Sequence, residues 1–218
     1  MQAKKLGCPP PYWFVGYSLG GQLALWGVKA GGDHPDIAGG AVICPSLDSV
    51  RSLSYLTSHP IGKYLEKAIT QTLKELAWDL YQHHPQDFDP EAIKRADSIW
   101  NFDKELVIER LGFSTVEEYY QASSALAILP ELKKPTFILY AKDDPMFDPS
   151  IISDLEIACQ NNKNLTGMIT EFGGHVGYFS SNYCQKLWQD DDPWWAWNRA
   201  LDFIKETSNI KATISLSN

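Results

Sequence analysis

The sequence predicts an α/β fold: a mostly parallel sheet flanked by helices and interrupted by a helical insertion. Three observations carry that expectation. Short apolar strand patterns alternate with helical ones along the chain, the arrangement that builds parallel sheets. The first strand, Tyr12-Trp13-Phe14-Val15, is a continuous apolar run, as expected of a strand covered on both faces. From about Asp48 to Lys134 the apolar period lengthens to three and four residues, over a stretch far longer than a simple crossover between strands requires.

Composition sets the limits. A chain of 218 residues with 44% hydrophobic and 21% charged residues is not a disordered one, and its size suits one domain with an inserted subdomain. Folding at this length buries ~70% of the unfolded surface. Eight Trp, ten Tyr and nine Phe supply the bulk for a core. The formal net charge of -8 and the isolated basic pairs Lys4-Lys5 and Lys133-Lys134 exclude a nucleic-acid platform. No run approaches the ~20 apolar residues of a membrane span, and the opening MQAKKLGCPPP has no apolar signal core. A cytoplasmic location without a transmembrane segment is therefore expected. Cys8, Cys44, Cys159 and Cys184 lack CxxC or CxH spacing, so they read as ordinary thiols with neither a zinc site nor a disulfide framework.

Taken in order, a Pro-rich lead (Pro9 to Pro11) precedes the strand Tyr12 to Gly16, which runs directly into Gly16-Tyr17-Ser18-Leu19-Gly20-Gly21. A helix from Gln22 to about Lys29 follows and stops at Gly31-Gly32. The next strand, Ala38 to Cys44, is small and β-branched, and residues 1–47 thus form the first part of a core. In the block 48–134, Ile61, Tyr64, Leu65, Ala68, Ile69 and then Leu73, Leu76, Ala77, Leu80 recur at helical steps. The turn-rich HHPQDFDP (His83 to Pro90) breaks that pattern, and a third helix is expected around Glu91 to Ser98. This block reads as a mostly helical cap. Core strands resume at Pro135 to Ala141 and at about Leu165 to Phe172, with a helix around Ser150 to Cys159 between them. A Trp-rich helix from Pro193 to Lys205 completes the core 135–207, and 208–218 read as a flexible tail.

Gly16-Tyr17-Ser18-Leu19-Gly20 fits GxSxG between a buried strand and a helix, the context that gives this short pattern its meaning. A nucleophilic serine on such a strained turn projects its hydroxyl from the carboxyl edge of the sheet, and Gly16 and Gly20 let strand and helix approach. The helix start aims its dipole and free amides at a forming oxyanion, with the amide of Leu19 as one donor. A serine at its ordinary pKa is a poor nucleophile, so a base and an orienting acid must follow in the order Ser, acid, His. Asp144, in the turn Lys142-Asp143-Asp144-Pro145 after a strand, is the expected acid, with Asp143 as its rival. His175, in Gly173-Gly174-His175-Val176-Gly177 after the last strand, is the expected base.

The remaining histidines, His34, His59, His83 and His84, read as surface or capping residues. His84 and Asp89 make an HxxxxD spacing, a pattern short enough to arise by chance. Asp190-Asp191-Asp192-Pro193 reads as a helix-start signal without metal-ligand spacing, and the tryptophans after it read as packing.

Four stretches together resemble the α/β-hydrolase superfamily, and within it the YheT-like branch of esterases and lipases: FVGYSLGG (Phe14 to Gly21), EEYYQASSALAILPELKKPTFIL (Glu117 to Leu139), YAKDDPMF (Tyr140 to Phe147) and GGHVGYF (Gly173 to Phe179). The resemblance implies a carboxylester hydrolase with Ser18 as nucleophile, Asp144 as acid and His175 as base, and no metal or organic cofactor. It also implies earlier strands and an HGxxG-like oxyanion loop ahead of the nucleophile strand. Eleven residues precede Tyr12 and cannot hold them, so the expectation is the C-terminal part of such a hydrolase, N-terminally truncated.

The expected function is hydrolysis of small-molecule carboxylic esters, acylglycerols or other lipid-like substrates among them, with no nucleic-acid partner. Two other readings stand beside it. The chain is a non-catalytic fragment or a half that works with a complementing N-terminal half, or it passes the acyl group to an alcohol or amine as an acyltransferase.

Overall fold

The computed structural model describes residues 2–216, with side chains described to residue 208. Two compact units are present, and the first comprises Met1–Leu47, Ala125–Asp144 and Pro149–Asn218. Its centre is a four-stranded parallel sheet: β1 Tyr12–Tyr17, β2 Ile37–Ile43, β3 Thr136–Ala141 and β4 Leu165–Thr170, ordered β1-β2-β3-β4. Spatial order follows chain order, so the four carboxyl ends lie side by side on one edge, where sites collect in open α/β sheets.

β2 and β3 are buried throughout, as their small and β-branched (IAGGAVI) and apolar (TFILYA) sequences require. β1 differs from its expected burial on both faces. It is half-buried, with Val15 37% exposed, because among the described residues it pairs with β2 alone and stands at the sheet edge. An apolar run reports how much of a strand can be covered and carries no information about its number of neighbours. Trp13 of β1 and Phe137 of β3 both pack on Phe203, at centroid distances of 5.9 and 5.4 Å, so the closing helix Trp195–Leu216 covers one face of the sheet.

Several boundaries move for local reasons. The helix after β1 starts at Ser18 rather than Gln22 and runs to Ala30, where Gly31 donates to the Gly27 carbonyl at 2.9 Å. The closing helix starts at Trp195, after Asp192 Oδ1 has accepted the Trp194 N–H at 2.9 Å, and it continues to Leu216 through most of the expected tail. Residues 217–218 of that tail lie outside the described residues.

Residues 125–134, expected in the cap, belong with the sheet. Leu126 donates to the Leu47 carbonyl at 2.8 Å, and Ile128, Leu129 and Leu132 are buried. A single buried side chain ties this 3-10 segment (Leu126–Glu131) to the helix Ile151–Asn161: Asn162 Nδ2 donates to Leu129 O and Leu132 O at 2.9 and 3.0 Å, while its Oδ1 accepts from Asn164 N. The Leu129 carbonyl also accepts from Leu132 N, and the Leu132 carbonyl also accepts from Asn164 Nδ2 at 3.0 Å, so the buried polar groups here are paired several times over.

The second unit is Asp48–Ser124 together with Pro145–Asp148. Its main helices are Ser49–Ser58, Pro60–His83 and Val116–Ser123, and Asp48, His59 and Thr115 each cap a helix start by accepting a backbone N–H. The expected helix from Glu91 stops at Arg95, because Ala96 leaves helical geometry and Ser98 caps a new short helix, Ile99–Phe102. Ala77, Ile93, Ala96 and Leu106 form its larger core cluster with Trp78 and Phe102 packed against it. Tyr120 donates to the Asp103 carboxylate beside a π-helical turn, Asp103–Val107. No described helix is long and apolar enough to cross a membrane.

Candidate active site

Each of the four strands delivers one side chain to the shared carboxyl edge. Ser18 directly follows β1 and Cys44 directly follows β2, while Asp144 lies in the turn after β3 and His175 in the loop after β4. Three of the four are sequence-expected residues. The structure brings Ser18, Asp144 and His175 together in the first unit.

Ser18 sits at φ 52°, a left-handed conformation that costs a non-glycine residue on the order of 1–3 kcal/mol and persists where its surroundings over-determine it. The turn closes so tightly that a Cβ on Gly16 would stand 2.2 Å from the Gly20 carbonyl oxygen. The expected reason for Gly20 differs: a Cβ there meets nothing within 4 Å, and the second close approach is at Gly21, 3.0 Å from Pro45 Cβ. Ser46 donates to the Ser18 carbonyl at 3.2 Å and braces the turn from the β2 side. Leu19 is the second residue of the helix, its side chain exposed and its amide in the first turn, where N–H groups have no intrahelical acceptor.

His175 connects the other two groups. Its Nδ1 lies 2.8 Å from Asp144 Oδ2 and its Nε2 lies 2.7 Å from Ser18 Oγ. An ionised carboxylate can only accept, so Nδ1 carries the ring proton and Nε2 accepts the Ser18 hydroxyl. Asp144 is buried, whereas Asp143 is exposed and its Oδ1 accepts the Gly174 N–H at 2.8 Å. The two adjacent acids therefore hold different parts of the same loop. That loop folds back on itself: Tyr178 donates to the Gly173 carbonyl at 3.1 Å, and a Cβ on Gly173 would lie 2.4 Å from the Tyr178 ring.

Cys44 and Tyr178 are the residues the sequence did not point to. Cys44 is fully buried at φ 41°, and its Sγ lies 3.1 Å from the Tyr178 hydroxyl. Burial, and then the negative charge of Asp144, push its thiol up to about 12. Burial and the neighbouring Cys44 push the Tyr178 phenol upward as well. Nothing in the spacing of four scattered cysteines marks Cys44, while Tyr178 does fall within the GGHVGYF stretch.

No family model matches the chain. It is 54% identical over 225 residues to slr0264 of Synechocystis sp., a protein named as an esterase, with 95% of this chain and 60% of that protein covered. It is 31% identical over 167 residues to YheT of Escherichia coli, also named as an esterase, with 75% of this chain and 48% of that protein covered. The chain belongs to the YheT-like branch of the α/β-hydrolase superfamily. The mouse phospholipase ABHD3 is a more distant relative of this YheT-like chain, 29% identical over 176 residues, with 77% of the chain and 40% of that protein covered. The YheT-like chain thus spans about half the length of the relatives it matches.

The other histidines of this YheT-like chain serve local structure. His34 Nδ1 accepts from Asp36 N at 3.1 Å, His59 Nδ1 caps a helix, and His83 Nδ1 lies 2.9 Å from the Asp79 carbonyl. In the HxxxxD pair, His84 N–H closes the preceding helix on Leu80 O and Asp89 caps the next one. The acidic run divides: Asp192 meets the start of the closing helix, and Asp190 pairs with the buried Arg199, whose guanidinium stacks on Trp188 at 4.3 Å. Among the described residues, one group of potential metal ligands has its donor atoms within 4.8 Å of one another: Cys44, Asp144 and His175. Its His175 and Asp144 atoms already satisfy each other and Ser18.

Proposed function

We propose that this chain hydrolyses carboxylic esters through an acyl-enzyme on Ser18. The observation that carries the reading is the unbroken hydrogen-bond line Asp144–His175–Ser18 ending on a serine held at φ 52° at the start of a helix. Ser18 Oγ attacks the ester carbonyl carbon while its proton passes to His175 Nε2, and the carbonyl oxygen takes the negative charge beside the Leu19 amide. The tetrahedral centre collapses, the C–O bond to the alcohol breaks, and the Nε2 proton leaves with the alkoxide. Water then gives a proton to Nε2, its oxygen attacks the acyl carbon, and Ser18 departs and takes the proton back. Asp144 holds the Nδ1–H tautomer and balances the transient imidazolium charge.

The names of slr0264 and YheT support an ester as substrate, and that of ABHD3 extends the class to lipid-like esters. The test is covalent labelling by a fluorophosphonate, with the adduct located by mass spectrometry. Adduct on Ser18, lost in Ser18→Ala, is the expected result, and labelling that survives that change overturns the assignment. Product analysis with an added acceptor alcohol separates hydrolysis from acyl transfer to that alcohol.

One observation favours a second reading, in which reactivity depends on a complementing N-terminal segment. β1 presents a half-buried edge with Val15 exposed, a surface suited to pairing with a further strand. Labelling that appears only when the upstream part of slr0264 is supplied in trans supports this reading, and equal labelling without it removes the reading.

A further inference from the structure

Among the described residues, four non-glycine positions hold a left-handed backbone: Ser18, Cys44, Tyr178 and Gln189. Three of them meet around Asp144 and His175. Strained backbone gathers where a site must hold groups that a relaxed chain would not present. Ser18 has its role in the proposed chemistry, and Cys44 and Tyr178 have none. Yet Cys44 leaves β2 in the gap between Ser18 after β1 and Asp144 after β3, and its sulfur lies within 4.8 Å of ligand atoms of both Asp144 and His175.

A thiol has one proton to give. Around Cys44 Sγ stand the Asp144 carboxylate, the Gly174 carbonyl at 3.8 Å and the Tyr178 hydroxyl at 3.1 Å. The ionised carboxylate is the strongest acceptor of the three, so the S–H turns to it and the Tyr178 O–H donates to the sulfur. We propose that Cys44 is a positioning residue of this site, its thiol donating to the Asp144 carboxylate on the side away from His175, with Tyr178 locking the sulfur in place. The inference rests on the assignment of Ser18, Asp144 and His175 above. Burial and the Asp144 charge keep the thiol protonated, so it acts as a neutral donor and not as a nucleophile.

The consequence is a division of charge. The thiol draws part of the carboxylate's charge away from the His175 Nδ1–H, which helps fix the carboxylate's rotation and moderates how strongly it stabilises the imidazolium. Polar or titratable groups facing the pair include Ser18 from the elbow, Tyr178 from the loop after β4 with the Thr170 hydroxyl beside it, and Asp143, whose carboxylate is taken by the Gly174 N–H. With the thiol removed, the carboxylate concentrates on Nδ1–H and the imidazolium is favoured. Labelling needs the neutral ring, so an imidazolium that is better stabilised in the variant moves the midpoint of the pH–rate profile upward.

The experiment is the pH dependence of fluorophosphonate labelling for the whole 218-residue chain and for Cys44→Ala, Cys44→Ser and Tyr178→Phe. Cys44→Ala moves the midpoint up by roughly half a unit and slows the plateau several-fold, on the order expected for one hydrogen bond to a charged group. Cys44→Ser, which keeps a donor, returns the midpoint to the wild-type value, a rescue that mere filling of space would not produce. Tyr178→Phe shifts it in the same direction as Cys44→Ala and by less. The imidazole pKa of His175, read by NMR in the same four proteins, follows the same order and requires no reactivity. Coincident midpoints and coincident imidazole pKa values in wild type and Cys44→Ala overturn the role of Cys44. Labelling that persists in Ser18→Ala overturns instead the assignment beneath it.

Discussion

Asp143 Oδ1 accepts the backbone N–H of Gly174 at 2.8 Å, which fastens the turn after β3 to the glycine adjoining His175. The neighbouring acid, Asp144, is bonded to the imidazole itself. Two consecutive aspartates thus hold one loop by its main chain and by its side chain. Only the second bond changes when His175 takes up a proton, because only there does an ion pair replace a hydrogen bond from a neutral ring to a carboxylate.

The two acids therefore separate under the same substitution. Asp144→Asn is expected to lower the fluorophosphonate labelling rate by roughly 10³–10⁴-fold, because an amide cannot hold the Nδ1–H tautomer and balance the imidazolium. Asp143→Asn keeps a carbonyl oxygen able to accept the Gly174 N–H and should cost about tenfold or less. Equal losses in the two variants would show that the distinction drawn from the geometry is wrong.

The glycines of the elbow divide in a comparable way. Gly16→Ala places a Cβ 2.2 Å from the Gly20 carbonyl, a backbone clash that nothing flexible can relieve, so poor soluble yield or a thermal midpoint many degrees lower is expected. Gly20→Ala meets no atom within 4 Å and should change stability by less than about 1 kcal/mol. Thermal unfolding of the pair decides.

In the second unit, burial raises the Asp103 carboxyl and the hydrogen bond from Tyr120 opposes that rise. Tyr120→Phe leaves the carboxylate without this donor and should cost ~1–3 kcal/mol at pH 7. The sign follows from linkage. A carboxyl whose folded pKa stands above its unfolded value disfavours the fold once pH rises through that folded pKa, so the cost of Tyr120→Phe should shrink as pH falls toward 3.8. Urea unfolding of both proteins at two pH values measures it, and a cost that grows on acidification would reverse the reading.

Thiol chemistry gives a separate test. With its thiol raised to about 12, Cys44 should resist iodoacetamide at pH 8 while the exposed Cys8 reacts, and mass spectrometry of the peptides distinguishes them. The native chain keeps the Cys44 proton where an unfolded thiol would lose it, so stability falls between the ordinary thiol value of 9.0 and about 12. Cys44→Ser should flatten that alkaline decline.

The strands and the elbow were legible in the sequence because each is a local pattern: a short apolar run, or a serine flanked by glycines between a strand and a helix. The order Ser18, Asp144, His175 was legible because each follows a strand whose end could be read. Cys44 was not, since its meaning depends on β2 lying between β1 and β3, a fact of topology with no trace in four unspaced cysteines. The edge position of β1 was hidden for the same reason. The limit of the helical block was misplaced at Lys134 because Leu126–Glu131 carries helical spacing, yet its carbonyls are collected by Asn162, thirty residues and more further on.

The four strand ends act together as a ruler. The strand ends that Ser18, Cys44, Asp144 and His175 follow are set by the spacing of hydrogen-bonded strands, about 4.8 Å from one to the next, and the loop after β4 carries His175 back along that edge to Ser18. The accuracy of the ruler is then a matter of register. Ile43 of β2 stands opposite Leu139 of β3, which stands opposite Met168 of β4, and a slip of one residue along β3 would offer Asp143 or Pro145 to the imidazole in place of Asp144. Misregistered folding intermediates are thereby silent toward an active-site probe, and the onset of labelling during refolding would time the moment at which the last strand locks.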